Sequence, residues 1–381
     1  METVGIVCEY NPLHLGHKKQ FDRIRQQLGN DTAIVCMMSG QYVQRGYPAV
    51  FDPSLRAKAA ILAGADLVLQ MPVTTSLASA ESFAAGAVAL LAPLCDRLCF
   101  GAEDANETNL LALAKGLLSP DFSLILRPHL DAGLSFPAAR QKALAQMGLP
   151  GELLEKPNNI LAVEYCKAIL AKKLAIKPMA IYRGGDYHDT AADAENPSAT
   201  AIRQLMEQNE DWQQFVPEVT RAVYHGAPLY TIADGEKAIL GKLRSMTEAE
   251  FEALPFGSEG LWRKLMHAVS ENAALEQIAQ AVKSKRYTRS RIDRMILCAF
   301  LGITQADMDA PPPYARVLAL NERGGKVLKK AKKSGFYPNI GEKTGVDYEV
   351  LEQRCSRLYG LFAHGSIDLA PDPHVYVHMA E

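Results

Sequence analysis

Residues 4–20 read Val-Gly-Ile-Val-Cys-Glu-Tyr-Asn-Pro-Leu-His-Leu-Gly-His-Lys-Lys-Gln. The apolar, β-branched run 4–7 has the composition of a buried strand, and Asn11-Pro12 stops it. Apolar positions then recur at helical spacing over 15–28 and end at Gly29. His14 and His17 therefore stand at the amino end of a helix, just past the carboxyl end of a first strand. Open parallel sheets bind ligands at that edge, and a helix amino end offers unpaired N–H groups and partial positive charge to a phosphate. The two imidazoles, three residues apart, share one helix face, and Gly16 between them has no side chain to hold a base or phosphate off the backbone. His-x-x-His is also a zinc spacing, but no nearby cysteine or carboxylate completes a ligand set. The glycines fit neither the Gly-x-Gly-x-x-Gly dinucleotide fingerprint nor the Gly-x-x-x-x-Gly-Lys-Ser/Thr phosphate loop.

The chain of 381 residues, 48% hydrophobic, is long enough for two domains or more. A net charge of −2 supplies no overall field toward nucleic acid or membrane, so any such contact has to come from a local patch. Seven cysteines, at 8, 36, 95, 99, 166, 298 and 355, form no disulfide framework or Cys-x-x-Cys pair and fit a reducing compartment. Most of them read as core filler. With no basic amino-terminal region before the first strand, and with the most apolar helical stretch, 83–94, too short for a bilayer, the expectation is a cytoplasmic protein.

Working outward, strand-like runs at 32–38, 66–70 and 97–100 alternate with helical patterns at 53–63 and 76–94. Such a rhythm implies a parallel sheet with right-handed crossovers, so the loops after the strands converge on one edge: Asn11, residues 39–46 and residues 101–103. Helical patterns follow at 110–118, 124–132, 136–147 and 160–173, the last opened by Lys156-Pro157-Asn158-Asn159, where the asparagines serve equally well as cap and turn residues. A fifth strand over 179–182 runs into Arg183-Gly184-Gly185-Asp186-Tyr187-His188-Asp189, a loop better suited to chemistry than to stability. Ser198, Thr200 and Arg203 then open another helix; an arginine there can grip two phosphate oxygens with its planar fork.

Residues 204–282 read as helices. Residues 283–294 then carry six cations in twelve positions (Lys283, Lys285, Arg286, Arg289, Arg291 and Arg294), interleaved with Tyr287 and hydroxyls and followed by the apolar run 295–301. By spacing alone this is a solvated face, while its composition suits a phosphate backbone. Three prolines at 311–313 mark a linker, beyond which come a strand at 315–320, a second basic stretch at 322–334 and a last helix at 347–361.

His14-x-Gly16-His17 resembles the signature of the nucleotidyltransferase superfamily, and the ordered set of motifs resembles one family within it, the bacterial tRNA(Met) cytidine acetate ligases. The resemblance rests on residues 4–17, the Ser39-Gly-x-x-x-Gln-Arg-Gly-x-Pro-Ala49 loop, Phe100-Gly-Ala-Glu103 and Pro157-Asn-Asn-Ile-Leu161. It continues through Tyr187-His-Asp189, residues 198–203 and Lys285-Arg-Tyr-Thr-Arg-Ser-Arg291. It implies an α/β fold: a Rossmann-like parallel-sheet nucleotidyltransferase domain over 1–205, a mainly helical region over 206–310 with the basic RNA-binding segment, and a small C-terminal unit over 311–381.

The implied activity is ATP-dependent formation of acetyl-adenylate from acetate, then acetylation of N4 of the wobble cytidine of elongator tRNA(Met). The implied catalytic residues are His14, His17 and Lys18. The implied ATP site comprises Val7, Cys8, Glu9, Tyr10, Asn11, Pro12, His14, Gly16, His17, Gly101, Asn158 or Asn159, Arg183 and Gly184, with Ser198, Thr200 and Arg203 on the β and γ phosphates. Mg2+ would ride on the triphosphate, with no metal site in the protein. Gln44 and Arg45 are placed to close over the acyl-adenylate, and Lys283, Lys285, Arg286, Arg289, Arg291 and Arg294, helped by residues 323–333, would grip the tRNA. Two other activities fit the same motifs less completely: a mononucleotide adenylyltransferase of cofactor synthesis, which leaves the basic segments unexplained, and a non-catalytic RNA-binding protein, which leaves the intact histidines unexplained.

Overall fold

The computed structural model describes residues 1–183, 197–284, 286–310, 314–333, 347–365, 367 and 375–379. Its strands are β1 (Thr3–Cys8), β2 (Ala33–Ser39), β3 (Tyr42–Val43), β4 (Tyr47–Pro48), β5 (Leu67–Met71), β6 (Arg97–Ala102), β7 (Lys177–Tyr182), β8 (Arg316–Asn321) and β9 (Tyr376–His378). Seven of them form one sheet in the order β7-β6-β1-β2-β5-β8-β9, while β3 and β4 make a separate hairpin. The first five in that order pair in parallel, with Val4 opposite Ile34 and Arg97 opposite Lys177 among the registers. From β1 the chain proceeds to β2 and β5 on one side, then returns to β6 and β7 on the other. The order therefore reverses between β1 and β6, and an open α/β sheet leaves a crevice at that point.

Helices cover both faces. On one lie α1 (Leu15–Leu28) and α2 (Pro53–Ala63); on the other lie α3 (Ala80–Leu91) and, beyond α4 (Glu107–Leu118), α5 (Pro120–Asp131) and α6 (Phe136–Gln146), the helix α7 (Pro157–Ala171). Strand β2 shows why two faces are needed: Ile34, Cys36 and Met38 pack with Phe21 and Ile24 of α1, while Ala33, Val35 and Met37 pack with Phe83 and Ala84 of α3. The helix expected over 76–94 is shorter, Ala80–Leu91, with a separate short helix over Val73–Ser76 ahead of it, because Ser79 caps α3 by accepting the Ser82 N–H.

Past α8 (Ala199–Glu207) the chain is helical, with α9 (Glu236–Ser245), α10 (Leu261–Glu271), α11 (Leu275–Val282) and α12 (Arg289–Leu301) around a second core that also takes in Tyr42, Val73 and Leu77 from the sheet region. The segment from 314 does not stand apart as expected: β8 hydrogen-bonds antiparallel to β5 and extends the main sheet, with β9 beyond it. Helix α13 (Glu322–Lys333) then packs under that sheet, and α14 (Asp347–Tyr359) joins the second core through Leu351, Cys355 and Tyr359. The apolar run over 315–320 marks a strand but not its partner, so the pairing is not legible in the sequence. No single helix among the described residues is long and apolar enough to cross a membrane.

Candidate active site

The crevice between β1 and β6 is a cleft of about 200 Å³, lined by the carboxyl end of β1 from Ile6 to Asn11, His14 and His17 of the first helical turn, Phe100 and Gly101, Asn158, Arg183, the hairpin residues Gln44, Arg45 and Tyr47, and Ser198, Thr200 and Arg203. Two features hold the β1 end in shape. Tyr10 sits in the left-handed region at φ 45°, a conformation costly for an aromatic residue, and its buried ring is fixed edge-on against His17 and Phe21 with its hydroxyl on Cys36 Sγ. Beneath it Arg56, 0% exposed, donates from Nε to the Phe51 carbonyl and from Nη1 and Nη2 to the carbonyls of Glu9, Ser39 and Gly40. One guanidinium thus ties the ends of β1 and β2 to the turn before α2.

At the start of α1 the histidines cap their own helix. His14 Nδ1 accepts the Gly16 N–H at 3.1 Å, and His17 Nδ1 accepts the His14 N–H at 3.2 Å. A neutral imidazole whose Nδ1 accepts must carry its proton on Nε2, so each ring has one N–H donor left for the cleft. The rings stack at 3.7 Å, and burial, with the neighbouring arginine cations, keeps both neutral: His14 is held well below the usual imidazole range and His17 is pulled down to about 3. Gly16 does not line the cleft; a Cβ there would stand 3.0 Å from His14 Cε1, so the glycine makes room for the His14 ring rather than for a ligand.

From β6 and α7 come the partners on the far wall. Glu103 accepts both the Asn158 and the Asn159 backbone N–H and the Asn158 amide at 2.7 Å, so its carboxylate caps the amino end of α7 and aims Asn158. Asn158 Oδ1 in turn meets Arg183 Nη1 at 3.5 Å. Asn159 turns away: its amide accepts the Asp104 N–H and donates to the Leu153 carbonyl. Of the two asparagines left open by the sequence, Asn158 faces the cleft and Asn159 ties α7 to its surroundings.

The third wall is the start of α8. Ser198 accepts the Ala201 N–H as N-cap, and Arg203 reaches back over the cleft to the Asn11 carbonyl at 2.7 Å, to Tyr47 Oη and to Thr200 Oγ1, both at 3.3 Å. Asn11 is held by accepting the Val50 N–H at 2.7 Å, while its buried Nδ2 has no partner among the described residues. A buried amide N–H with nothing to donate to, in a cleft lined by arginines and imidazole N–H groups, fits an anionic oxygen.

Some expected residues lie elsewhere. Lys18 pairs with Asp22 one turn along α1 and does not line the cleft, because a residue next to His17 in sequence is rotated about 100° from it on a helix. Pro12 is likewise absent from the lining, and Gly184 lies outside the described residues, as do His188, Asp189 and Lys285. In the basic segment, Arg289 bridges Glu276 and Asp293, Arg286 pairs with Glu259, and Arg291 donates to the Phe256 carbonyl and to Ser258. Arg294 is 8% exposed, with its guanidinium over Phe256 and on the Gln44 carbonyl. Arg294 is therefore a packing residue and not a phosphate contact; among the described residues of the segment, Lys283 and Arg286 are the exposed cations. The second basic stretch, α13, passes the amino ends of the strands, where Lys330 shares a depression with Glu2, Asp96, Arg97 and Lys177. That edge is a strand's length, roughly 20 Å, from the cleft.

Sequence reasoning did not single out Arg56, which reads as an ordinary helix cation, nor Glu103 and Tyr47 as site residues in their own right; each stands beside a motif, and its role depends on what folds against it. Gln44 and Arg45, between β3 and β4, are among the residues lining the cleft, and the hairpin is seated on α12: a Cβ at Gly46, whose φ is +90°, would stand 2.5 Å from the Arg294 backbone nitrogen. Gly46→Ala is expected to push the hairpin off α12 at a cost of about 1–3 kcal/mol in thermal unfolding, and to weaken nucleotide binding measured by titration.

The family model described as HIGH Nucleotidyl Transferase matches residues 1–367. A curated protein of Clostridium acetobutylicum named tRNA(Met) cytidine acetate ligase is 33% identical over 378 residues, covering 92% of each chain. One of Clostridium novyi with the same name is 34% identical, covering 89% of each. The crystal structure of Thermotoga maritima TmcAL in its apo form superposes with a TM-score of 0.89 at 28% identity, covering 99% of this chain and 100% of that one. The structure of that protein bound with alpha-thio ATP gives 0.87 at 27% identity, over 99% and 100% of the two chains.

Proposed function

Because this chain belongs to the tRNA(Met) cytidine acetate ligase family of HIGH nucleotidyl transferases, we propose that its cleft joins acetate to ATP as acetyl-adenylate and passes the acetyl group to N4 of the wobble cytidine of elongator tRNA(Met). The observation that carries this reading is the pair of histidines at the start of α1, each with its Nδ1 engaged and its Nε2–H left for the cleft, opposite Arg203. Attack of a carboxylate on an α-phosphate asks little covalent help of a protein; it asks for alignment and for donors fixed where charge accumulates.

Adenosine would lie over Gly101 between the β1 end and Asn158 and Arg183, the α-phosphate before His14 and His17, and the outer phosphates on Asn11 Nδ2, Ser198, Thr200 and Arg203. Neutral imidazoles suit this step because the developing charge is then met by N–H donors already in place. Mg2+ would arrive on the triphosphate, whose hard oxygens suit it.

For the RNA, the exposed cations Lys283 and Arg286 precede α12, which is docked on the hairpin that lines the cleft. Reversing both charges, Lys283→Glu with Arg286→Glu, is expected to raise the Kd for tRNA about tenfold and make the slope of log K against log salt shallower by about 2, as loss of two phosphate contacts requires. Unchanged salt dependence in a filter-binding titration would remove this segment from the RNA interface. The overall reading is tested by exchange of labelled pyrophosphate into ATP: exchange that requires acetate and no tRNA is expected, and its absence with acetate present would overturn the ligase reading.

A further inference from the structure

Glu9 lines the cleft, the one carboxylate among the described lining residues, in a site otherwise furnished with donors and arginine cations that suit phosphate. It is held firmly: Oε1 accepts the Gln44 N–H at 2.8 Å, its main-chain carbonyl is in the grip of Arg56, and Oε2 makes no hydrogen bond among the described residues. A half-buried carboxylate next to anionic substrates opposes their binding, so its place there calls for a partner that donates hydrogen bonds.

The acyl-transfer half-reaction supplies one. The exocyclic N4 of cytosine is a weak nucleophile because its lone pair is delocalised into the ring, and it has to shed a proton as it attacks. The histidines cannot take that proton: in each ring Nδ1 already accepts a backbone N–H and Nε2 is protonated. The Cys8 thiol and the Tyr10 phenol are pushed by burial well above their usual ranges and stay protonated, and the arginines only donate. A carboxylate, by contrast, is the side chain that accepts from cytosine N4.

We propose that Glu9 is the general base of acetyl transfer, receiving on Oε2 a proton from the N4 amine of the acceptor cytidine. This rests on the ligase reading given above. As the N4 lone pair forms the new C–N bond to the acetyl carbonyl carbon, the bond from that carbon to the phosphate oxygen breaks and AMP departs with its electron pair. The N4 proton moves to Glu9 and from there to water. The products are N4-acetylcytidine, AMP and one proton, with no change in oxidation state. Because Gln44 both holds Glu9 through its backbone N–H and belongs to the hairpin seated on α12, the base is fixed through that hairpin.

The test uses the full chain. Acetyl-adenylate is preformed from ATP and acetate with pyrophosphatase present, unmodified tRNA is added, and the single-turnover rate of acetyl transfer is followed against pH. Acetate-dependent pyrophosphate exchange is measured on the same preparations. Glu9→Gln keeps the shape and an acceptor for the Gln44 N–H but removes the base. Its transfer rate is expected to fall about 10²–10⁴-fold relative to its exchange rate, with loss of the limb in which the parent's rate rises with pH. Glu9→Asp is expected to recover part of the rate and to restore that limb. Transfer by Glu9→Gln within about threefold of the parent, or a retained limb, would overturn the assignment. Equal loss of exchange and transfer would also overturn it, moving Glu9 to the adenylation step. If the parent itself shows no acetate-dependent exchange, the ligase reading fails first, on a different measurement.

Discussion

Arg56→Met is expected to cost the folded protein about 3–5 kcal/mol, read as a lowered urea midpoint at unchanged slope. The size follows from what the guanidinium does. It is fully buried, and it is the hydrogen-bond donor to the carbonyls of Phe51, Glu9, Ser39 and Gly40. Methionine fills much of the volume but satisfies none of these acceptors, and each buried acceptor left without a donor costs about 1–3 kcal/mol, partly relieved by local shifts. Against a total stability of about 5–15 kcal/mol this is a large fraction. Arg56→Lys should fall between, since an ammonium group cannot span four carbonyls set around a planar fork. Loss of less than about 1 kcal/mol in Arg56→Met would show that the clamp is dispensable. The same substitution should loosen the loop that carries Glu9 and Gln44, so nucleotide affinity is expected to drop in whatever fraction remains folded.

His17→Ala is expected to lower acetate-dependent pyrophosphate exchange by about 10³-fold, the effect of losing one donor fixed on a developing phosphate charge, while leaving tRNA affinity near that of the parent. The histidine also caps α1, so the variant leaves the His14 N–H without its acceptor and should lose about 1 kcal/mol of stability. Exchange within a factor of ten of the parent would remove His17 from the reaction. The pH dependence of stability gives a separate check. His17 is held neutral down to about pH 3 in the folded protein, whereas an imidazole in the unfolded chain protonates near pH 6.5. Between those values the unfolded chain binds the proton that the folded chain refuses, so stability rises with pH across the window and is lost as pH falls through it. His17→Ala should flatten that slope. A bound triphosphate should do the same in the parent by drawing the imidazole pKa upward.

Residues 4–20 made most of this legible. A short apolar strand, an Asn-Pro stop and two histidines opening a helix place the cleft at the carboxyl edge of a parallel sheet, and the structure puts Asn11, the hairpin and Gly101 together there. What the sequence hid falls into two kinds. Arg56 and Glu103 act on backbone groups brought to them from distant segments, and no periodicity reports that; both look like ordinary surface charges until β1, β2 and α7 are in place. The basic segment erred the other way. Six cations in a row of twelve read as one surface, but Arg294 follows Arg291 by most of a helical turn and is carried under the hairpin onto Phe256, while Arg289 is taken by two carboxylates contributed by Glu276 and Asp293. Charge composition counts cations; only the fold shows which of them are already neutralised.

Strand β8 has a consequence for how the protein is made. It pairs with β5, yet it leaves the ribosome roughly 250 residues later, on the order of 10–50 s at ordinary rates of synthesis. Through that interval β5, with Leu67, Val68 and Leu69 destined for the interior, presents an open apolar edge to any neighbouring strand. Every residue lining the cleft has by then been synthesised. A chain released before residue 316 would carry every residue that lines the cleft and still be expected to precipitate, because the late strand supplies cover for the β5 edge and not chemistry.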